Sequence, residues 1–155
     1  DNTIRLWDAQ TGQCRQVLKG HELPVTSIAI SPDGRWLASC LYNDTIRLWS
    51  AQTGRCRQVL SRGIEGHNFV AISPDGRWLA TGSFNHSISL WDAQTGARRQ
   101  VLEGHIGRVN SVAISPDGRW LASCSEDETI SLWDTHTGEC LVDLGTVRFD
   151  DEYSL

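Results

Sequence analysis

The residues best suited to chemistry lie in the last third of the chain, where His105, Ser123 and Asp127 offer an imidazole base, a hydroxyl and a carboxylate. Those are the parts of a hydrolytic relay, in which the imidazole takes the hydroxyl proton and the carboxylate orients the imidazole. The flanks of Ser123 read Ala-Ser-Cys, however, with no Gly-x-Ser-x-Gly turn to present an exposed, activated oxygen. No Gly-x-x-x-x-Gly-Lys segment is available to cradle phosphates. The five cysteines form no C-x-x-C pair. Cys14, Cys56 and Cys140 share one repeating position with Arg98, and Cys40 and Cys124 share another with Gly82. Positions that tolerate Arg or Gly are poor metal-ligand sites, so the thiols are expected to be free and mostly packed. His136 and Cys140 are two donors without further partners, so no metal and no cofactor is expected.

Composition narrows the classes further. A chain of 155 residues has room for one domain with a sizeable core. A net charge of -5 argues against a general nucleic-acid or anionic-membrane binder. No apolar run reaches membrane-spanning length and no leader pattern opens the sequence. The lack of Met reads as a piece of a longer coding sequence, and unpaired cysteines fit an intracellular, cytoplasmic setting.

What positions these residues is a strict internal period. Trp7, Trp49, Trp91 and Trp133 stand 42 residues apart. The Ser-Pro-Asp-Gly segments starting at Ser31, Ser73 and Ser115, and Trp36, Trp78 and Trp120, keep the same step. A repeat of this length fits a propeller blade of four strands, and no long stretch of 3.6-residue periodicity supports a helical repeat. Within one unit, residues 26–30 form a β-branched run, Ser31-Pro32-Asp33-Gly34 a turn, and residues 36–40 a second strand. Residues 45–49 alternate with period two, Ala51-Gln52-Thr53-Gly54 is the next turn, and residues 56–60 give a fourth strand.

The expected architecture is all-β: about three full blades of four antiparallel strands (19–60, 61–102, 103–144), with a partial blade over 1–18 and the start of a divergent one over 145–155. Such a piece is cut from a longer propeller, closes a ring with a second copy, or closes alone as four strained blades. An open stack would leave apolar blade faces available for self-association.

Gly20-His21 and Gly104-His105 before a first strand, and Trp7-Asp8, Trp91-Asp92 and Trp133-Asp134 closing a third, resemble the WD40 repeat family, with Trp49-Ser50 departing from the pattern. The nearly identical units are similar to the WD40 arrays attached to NACHT- or NB-ARC-type signalling NTPases, which act as sensors or scaffolds. The tail over 147–151 is similar to the divergent last blade of those arrays.

The resemblance implies a non-catalytic module that binds proteins or peptides. It also implies that Trp133, Ser123, His105 and Asp127 form a buried structural hydrogen-bond chain rather than a catalytic relay. The matching residues are His21, Ser39, Asn43 and Trp49 in the first full blade, and Thr81, Asn85 and Trp91 in the second. There Gly63 takes the place of the His, and Gly66-His67 comes four residues late, so this blade is expected to be the loosest. Partner-binding positions implied by the family are Pro24, Thr26 and Tyr42, then Gly66, Asn68 and Phe84, then Arg108, Asn110 and Glu126, with the late loop putting Gly66 and Asn68 in doubt. Arg15, Arg57 and Arg99 recur on the fourth strand, where protection of an exposed edge is the simplest role.

Overall fold

The computed structural model describes residues 2–42, 45–62 and 66–145. Among the described residues fourteen strands follow one another: β1 (Ile4–Trp7), β2 (Cys14–Leu18), β3 (Val25–Ile30), β4 (Trp36–Leu41), β5 (Thr45–Ser50), β6 (Cys56–Arg62), β7 (His67–Ile72), β8 (Trp78–Ser83), β9 (Ile88–Asp92), β10 (Arg98–Leu102), β11 (Val109–Ile114), β12 (Trp120–Ser125), β13 (Ile130–Asp134) and β14 (Cys140–Leu144). They pair as one two-stranded sheet, β1-β2, and three four-stranded antiparallel meanders, β3 to β6, β7 to β10 and β11 to β14. The expected tail blade over 145–155 lies almost wholly outside the described residues.

Local chemistry fixes each turn. Ser31 sits at the mouth of the first: its amide donates to the Trp36 carbonyl (2.9 Å), its Oγ accepts from the Trp36 amide (3.0 Å), and the Gly34 amide closes the turn on the Ser31 carbonyl (2.8 Å). Asp33 accepts from the Arg35 amide and the Ser31 hydroxyl, in that order the causes that hold its carboxyl below the ordinary range. Ser73 and Ser115 repeat the arrangement. Between third and fourth strands the aspartate of the Trp-Asp pair caps the turn: Asp92 accepts from the amides of Gln94 (2.9 Å) and Thr95 (2.7 Å). Gly96 then takes a φ of 75°, a region open to glycine at little cost. At residue 50 a serine keeps the cap, its Oγ accepting from the Thr53 amide (3.2 Å), but brings no charge.

Successive sheets stack face to face. The first strands β3, β7 and β11 lie next to one another, and the Val70 amide of β7 reaches Ser27 Oγ of β3 (3.3 Å). On the outside, Gln58 of β6 donates to the Thr95 carbonyl of the following sheet (2.9 Å). Each interface is an apolar layer. Ile4 and Leu18 meet Leu37 and Trp49; Ala38, Ile46 and Leu48 meet Leu79 and Trp91; Ala80, Ile88 and Leu90 meet Leu121 and Trp133. An indole buried this completely contributes roughly 4–6 kcal/mol from area alone.

The sheet faces are therefore inequivalent, one carrying the tryptophan of the third strand and the other receiving the next sheet's tryptophan. On the receiving face Ile46 and Ile88 are 0% exposed, whereas Ile130 at the same position of the last sheet is 48% exposed. Trp120 and Leu144 are bared with it.

The cysteines correct the expectation of mostly packed thiols. Cys40 is buried, and burial pushes its thiol pKa up, but Cys14, Cys56 and Cys140 are exposed. The reason is positional. These three open the fourth strand at an irregularity in its pairing with Trp7, Trp49 and Trp133, on the outer edge where no neighbour covers them. All five are free.

Candidate functional site

The last four-stranded sheet brings together every member of its expected constellation. β12 carries Ser123 opposite Ser131, β13 carries Trp133, and the loop before β11 carries His105. The Trp133 indole N–H donates to Ser123 Oγ (2.8 Å), that oxygen lies 2.7 Å from His105 Nε2, and His105 Nδ1 is 2.9 Å from Asp127 Oδ2. Asp127 also accepts from the Ile106 amide (2.9 Å), the Thr129 amide (3.0 Å) and the Thr129 hydroxyl (2.6 Å). Burial alone would raise its pKa, yet these donors, led by the Thr129 hydroxyl, hold the carboxyl far below its ordinary value. The side chains of His105 and Asp127 are 1% and 4% exposed, and Ser123 is 2% exposed. An oxygen sealed beneath an indole cannot be reached by a substrate, so the geometry is that of a clamp joining loop, second strand and third strand.

The first full sheet keeps half of the chain. Trp49 donates to Ser39 Oγ (2.9 Å), but that oxygen is 3.3 Å from His21 Nε2, and among the described residues no partner meets His21 Nδ1. Asn43, the expected acceptor, lies outside the described residues. Sequence reasoning missed Arg47, which reaches from β5 to the Gly20 carbonyl and holds its guanidinium 6.0 Å from the Trp49 ring. Burial first, and the Arg47 charge second, lower the His21 pKa from 6.5 to about 4. In the second full sheet Trp91 donates to Thr81 (2.9 Å). Asn85, without a histidine to serve, turns to its own loop and accepts from the Ser87 hydroxyl (2.7 Å).

The surface positions fall at the end of the sheets where the fourth-to-first and second-to-third loops emerge. The amides of Tyr42, Phe84 and Glu126 donate to the carbonyls of Pro24 (3.3 Å), Gly66 (3.0 Å) and Arg108 (2.9 Å). Gly66 thus holds the same place as Pro24 and Arg108, which corrects the expectation of a shifted loop: Gly66-His67 is not a delayed Gly-His, because His67 opens β7 where Val25 and Val109 open β3 and β11. Gly66 has a φ of 66°, and a Cβ there would stand 1.9 Å from the Phe84 ring, so the aromatic lies directly on bare backbone. Thr26, Asn68 and Asn110 each sit where the strand register slips by one residue, a bulge that re-aims a side chain. Of Asn68 only the backbone is described.

Three of the expected surface residues form one strip. The rings of Tyr42 and Phe84 meet edge to face with centroids 6.0 Å apart, and the Arg108 guanidinium lies 3.8 Å above the Phe84 ring. Glu126 extends it, 3.9 Å from the half-buried Arg108, with its own side chain exposed. Tyr42 is 65% exposed. Ile106, 83% exposed beside the strip, was not anticipated. An isoleucine following a Gly-His pair was the available signal, but position 22 holds Glu in the first full unit and the repeat gives no hint of it.

Ser123→Ala leaves the Trp133 N–H and His105 without their shared partner, and is expected to lower unfolding free energy by about 2–4 kcal/mol in urea denaturation. A variant as stable as the parent would contradict the clamp. His21 gives a pH dependence. Its folded pKa lies below the unfolded value, so the unfolded chain binds the extra proton first and stability falls as pH drops from 6.5 toward 4. His21→Gln is expected to have a shallower fall in melting temperature across that window, and an unchanged slope would refute the assignment.

Comparison with known families agrees with this geometry. The family model described as "WD domain, G-beta repeat" matches residues 12–50, 54–92 and 96–134, more than half of the chain. The chain is 50% identical over 36 residues to the human F-box-like/WD repeat-containing protein TBL1Y, covering 23% of this chain and 7% of that protein. It is 49% identical over 39 residues to the nuclear distribution protein PAC1 of Mycosarcoma maydis (25% and 9%), and 51% identical over 39 residues to mouse Coronin-7 (25% and 4%). Each alignment thus spans less than a tenth of the relative. Three matched units in register, each contributing a tryptophan bonded to a second-strand hydroxyl, place the chain in the WD40 repeat family.

Proposed function

We propose that the chain is a non-catalytic interaction module that presents the loop end of its sheets to a protein or peptide partner. The carrying observation is the strip in which Tyr42 meets Phe84 and Phe84 meets Arg108 across three successive sheets, with Tyr42 exposed and the other two half-buried. Aromatics and arginine are the side chains that most often dominate binding energy, and a strip already stacked loses little rotamer freedom on binding. Nothing in this role calls for a cofactor, a metal, a nucleic acid or a membrane. No helix among the described residues is long and apolar enough to cross a membrane, and no cluster of three or more metal-ligating side chains occurs among them. The near-identity of the repeat units supports a sensor or scaffold role of the kind served by arrays joined to NACHT or NB-ARC signalling NTPases, in an intracellular setting. With Tyr42→Ala and Phe84→Ala combined, the chain is expected to keep its melting temperature and lose at least tenfold in partner affinity, measured by quantitative capture against the parent. Full affinity in a folded double variant would dispose of the strip as the binding surface.

A second reading, assembly with other copies, is favoured by the bare receiving face of the last sheet. There Pro116, Trp120, Ile130 and Leu132 line or flank an apolar groove that the next sheet covers at the two preceding interfaces. Sedimentation velocity at rising concentration is expected to reveal association that Ile130→Glu abolishes. A parent that sediments as a monomer throughout would remove this reading.

A further inference from the structure

The fourth-strand arginines differ from one another in a way the repeat does not anticipate. Arg15 is ion-paired with Asp8, the aspartate of its own Trp-Asp pair. Arg99 lies close enough to Asp92 to help lower that carboxyl's pKa, though the backbone and side-chain hydrogen bonds of Thr95 do more. Arg57 has the same place in the first full sheet, but its partner position is Ser50, and no ion pair holds Arg57 among the described residues. The loss of that carboxylate leaves Arg57 without the partner in its own sheet that Arg15 has in Asp8.

The surroundings concentrate that charge. Arg57 lines a cleft of about 830 Å³ between the two-stranded sheet and the first full sheet, together with Arg15, Arg35 and Ser50; no carboxylate among the described residues lines it, that of Asp8 being ion-paired with Arg15. Leu6 adds an apolar wall to the same cleft. The corresponding cleft one sheet later is lined by Arg57 and Arg77, but also by Asp92. Where the later cleft has Asp92, the first has Ser50.

We propose that the cleft lined by Arg35 and Arg57, beside the Asp8-paired Arg15, binds an acidic peptide segment of a protein partner, its carboxylates on those two arginines and an apolar side chain against Leu6. Forked guanidinium donors suit carboxylates, and a cleft with low-dielectric walls strengthens the attraction. The net charge of -5 disfavours a long polyanion such as nucleic acid, whereas a short acidic segment meets only the local field. This cleft lies at the turn end of the sheets, opposite the Tyr42, Phe84 and Arg108 strip, and stands independently of it.

The probe is a fluorescein-labelled peptide of alternating Glu and Leu, titrated by anisotropy at low ionic strength, with inorganic phosphate as competitor. Arg57→Ala, which removes the cation, and Ser50→Asp, which restores the carboxylate of the other units, are each expected to weaken binding by about tenfold. Arg99→Ala, at the same position of the next sheet, is expected to leave binding unchanged, as is the Tyr42 and Phe84 double variant. All changes are on the surface, and matched melting curves confirm folding. Equal affinity for the parent and Ser50→Asp, equal weakening by Arg99→Ala, or displacement of the peptide by phosphate at concentrations comparable to the peptide's own dissociation constant, would each overturn the proposal.

Discussion

Each four-stranded sheet here is held by an indole that serves two neighbours at once. Trp49, Trp91 and Trp133 donate their N–H to a hydroxyl of the second strand in their own sheet and press their rings into the apolar face of the sheet before. The first contact satisfies the only polar atom of a large ring, and the second removes that ring from water. Without the hydroxyl the ring could not be buried cheaply. Without the neighbouring face the hydrogen bond would hold nothing against anything. A sheet of this kind is therefore stable only in company, which is why the receiving face of the last sheet, with Ile130 and Trp120 bared, is the least satisfied part of the molecule.

The buried chain of His105, Ser123 and Asp127 follows from the same constraint. A hydroxyl that accepts from an indole still has a proton to place, and His105 accepts it in a hydrogen bond; the other ring nitrogen then needs an acceptor, and Asp127 supplies it while accepting two bonds from Thr129 of its own loop and one from the Ile106 amide of the loop that carries His105. The resemblance to a hydrolytic relay is one of composition. The sealed geometry commits the polar atoms to one another and passes rigidity outward to the loops beside them, the loops that carry Arg108, Ile106 and Glu126. Loop ends fixed by the buried chain can hold an aromatic and cationic strip in one arrangement.

Much of this was legible in the sequence because the repeat overdetermines it. A 42-residue step, a Ser-Pro-Asp-Gly turn and alternating strands all point to the same four-stranded unit, and the strand limits read from pattern differ from the observed ones by one or two residues. What escaped were the places where the units stop being copies. Arg47 stands where Ser89 and Ser131 stand in other sheets, and its reach to Gly20 and its effect on His21 depend on a neighbouring loop that no local pattern describes. The Gly66-His67 pair imitated a motif that the backbone register assigns to other residues, because a dipeptide carries less information than the hydrogen bond from Phe84 to the Gly66 carbonyl. His86 and Glu128 share a positive φ, of 73° and 67°, without sharing a side chain, so turn shape here is imposed by the flanking strands rather than chosen by the residue. The thiols of Cys14, Cys56 and Cys140 escaped because their spacing excluded metal and disulfide pairs without saying which were covered, whereas exposure is set by the edge position of the fourth strand.

The central claim, that the periodic indoles are pinned between sheets by one hydrogen bond and one apolar face, is tested most directly by hydrogen exchange at the tryptophan side chains, followed by NMR. The indole N–H protons of Trp49, Trp91 and Trp133 are expected to be strongly protected, while those of Trp7 and Trp120, 58% and 48% exposed, exchange at rates close to a free indole. Uniformly fast exchange across all five, or protection of Trp7 equal to that of Trp49, would contradict the account.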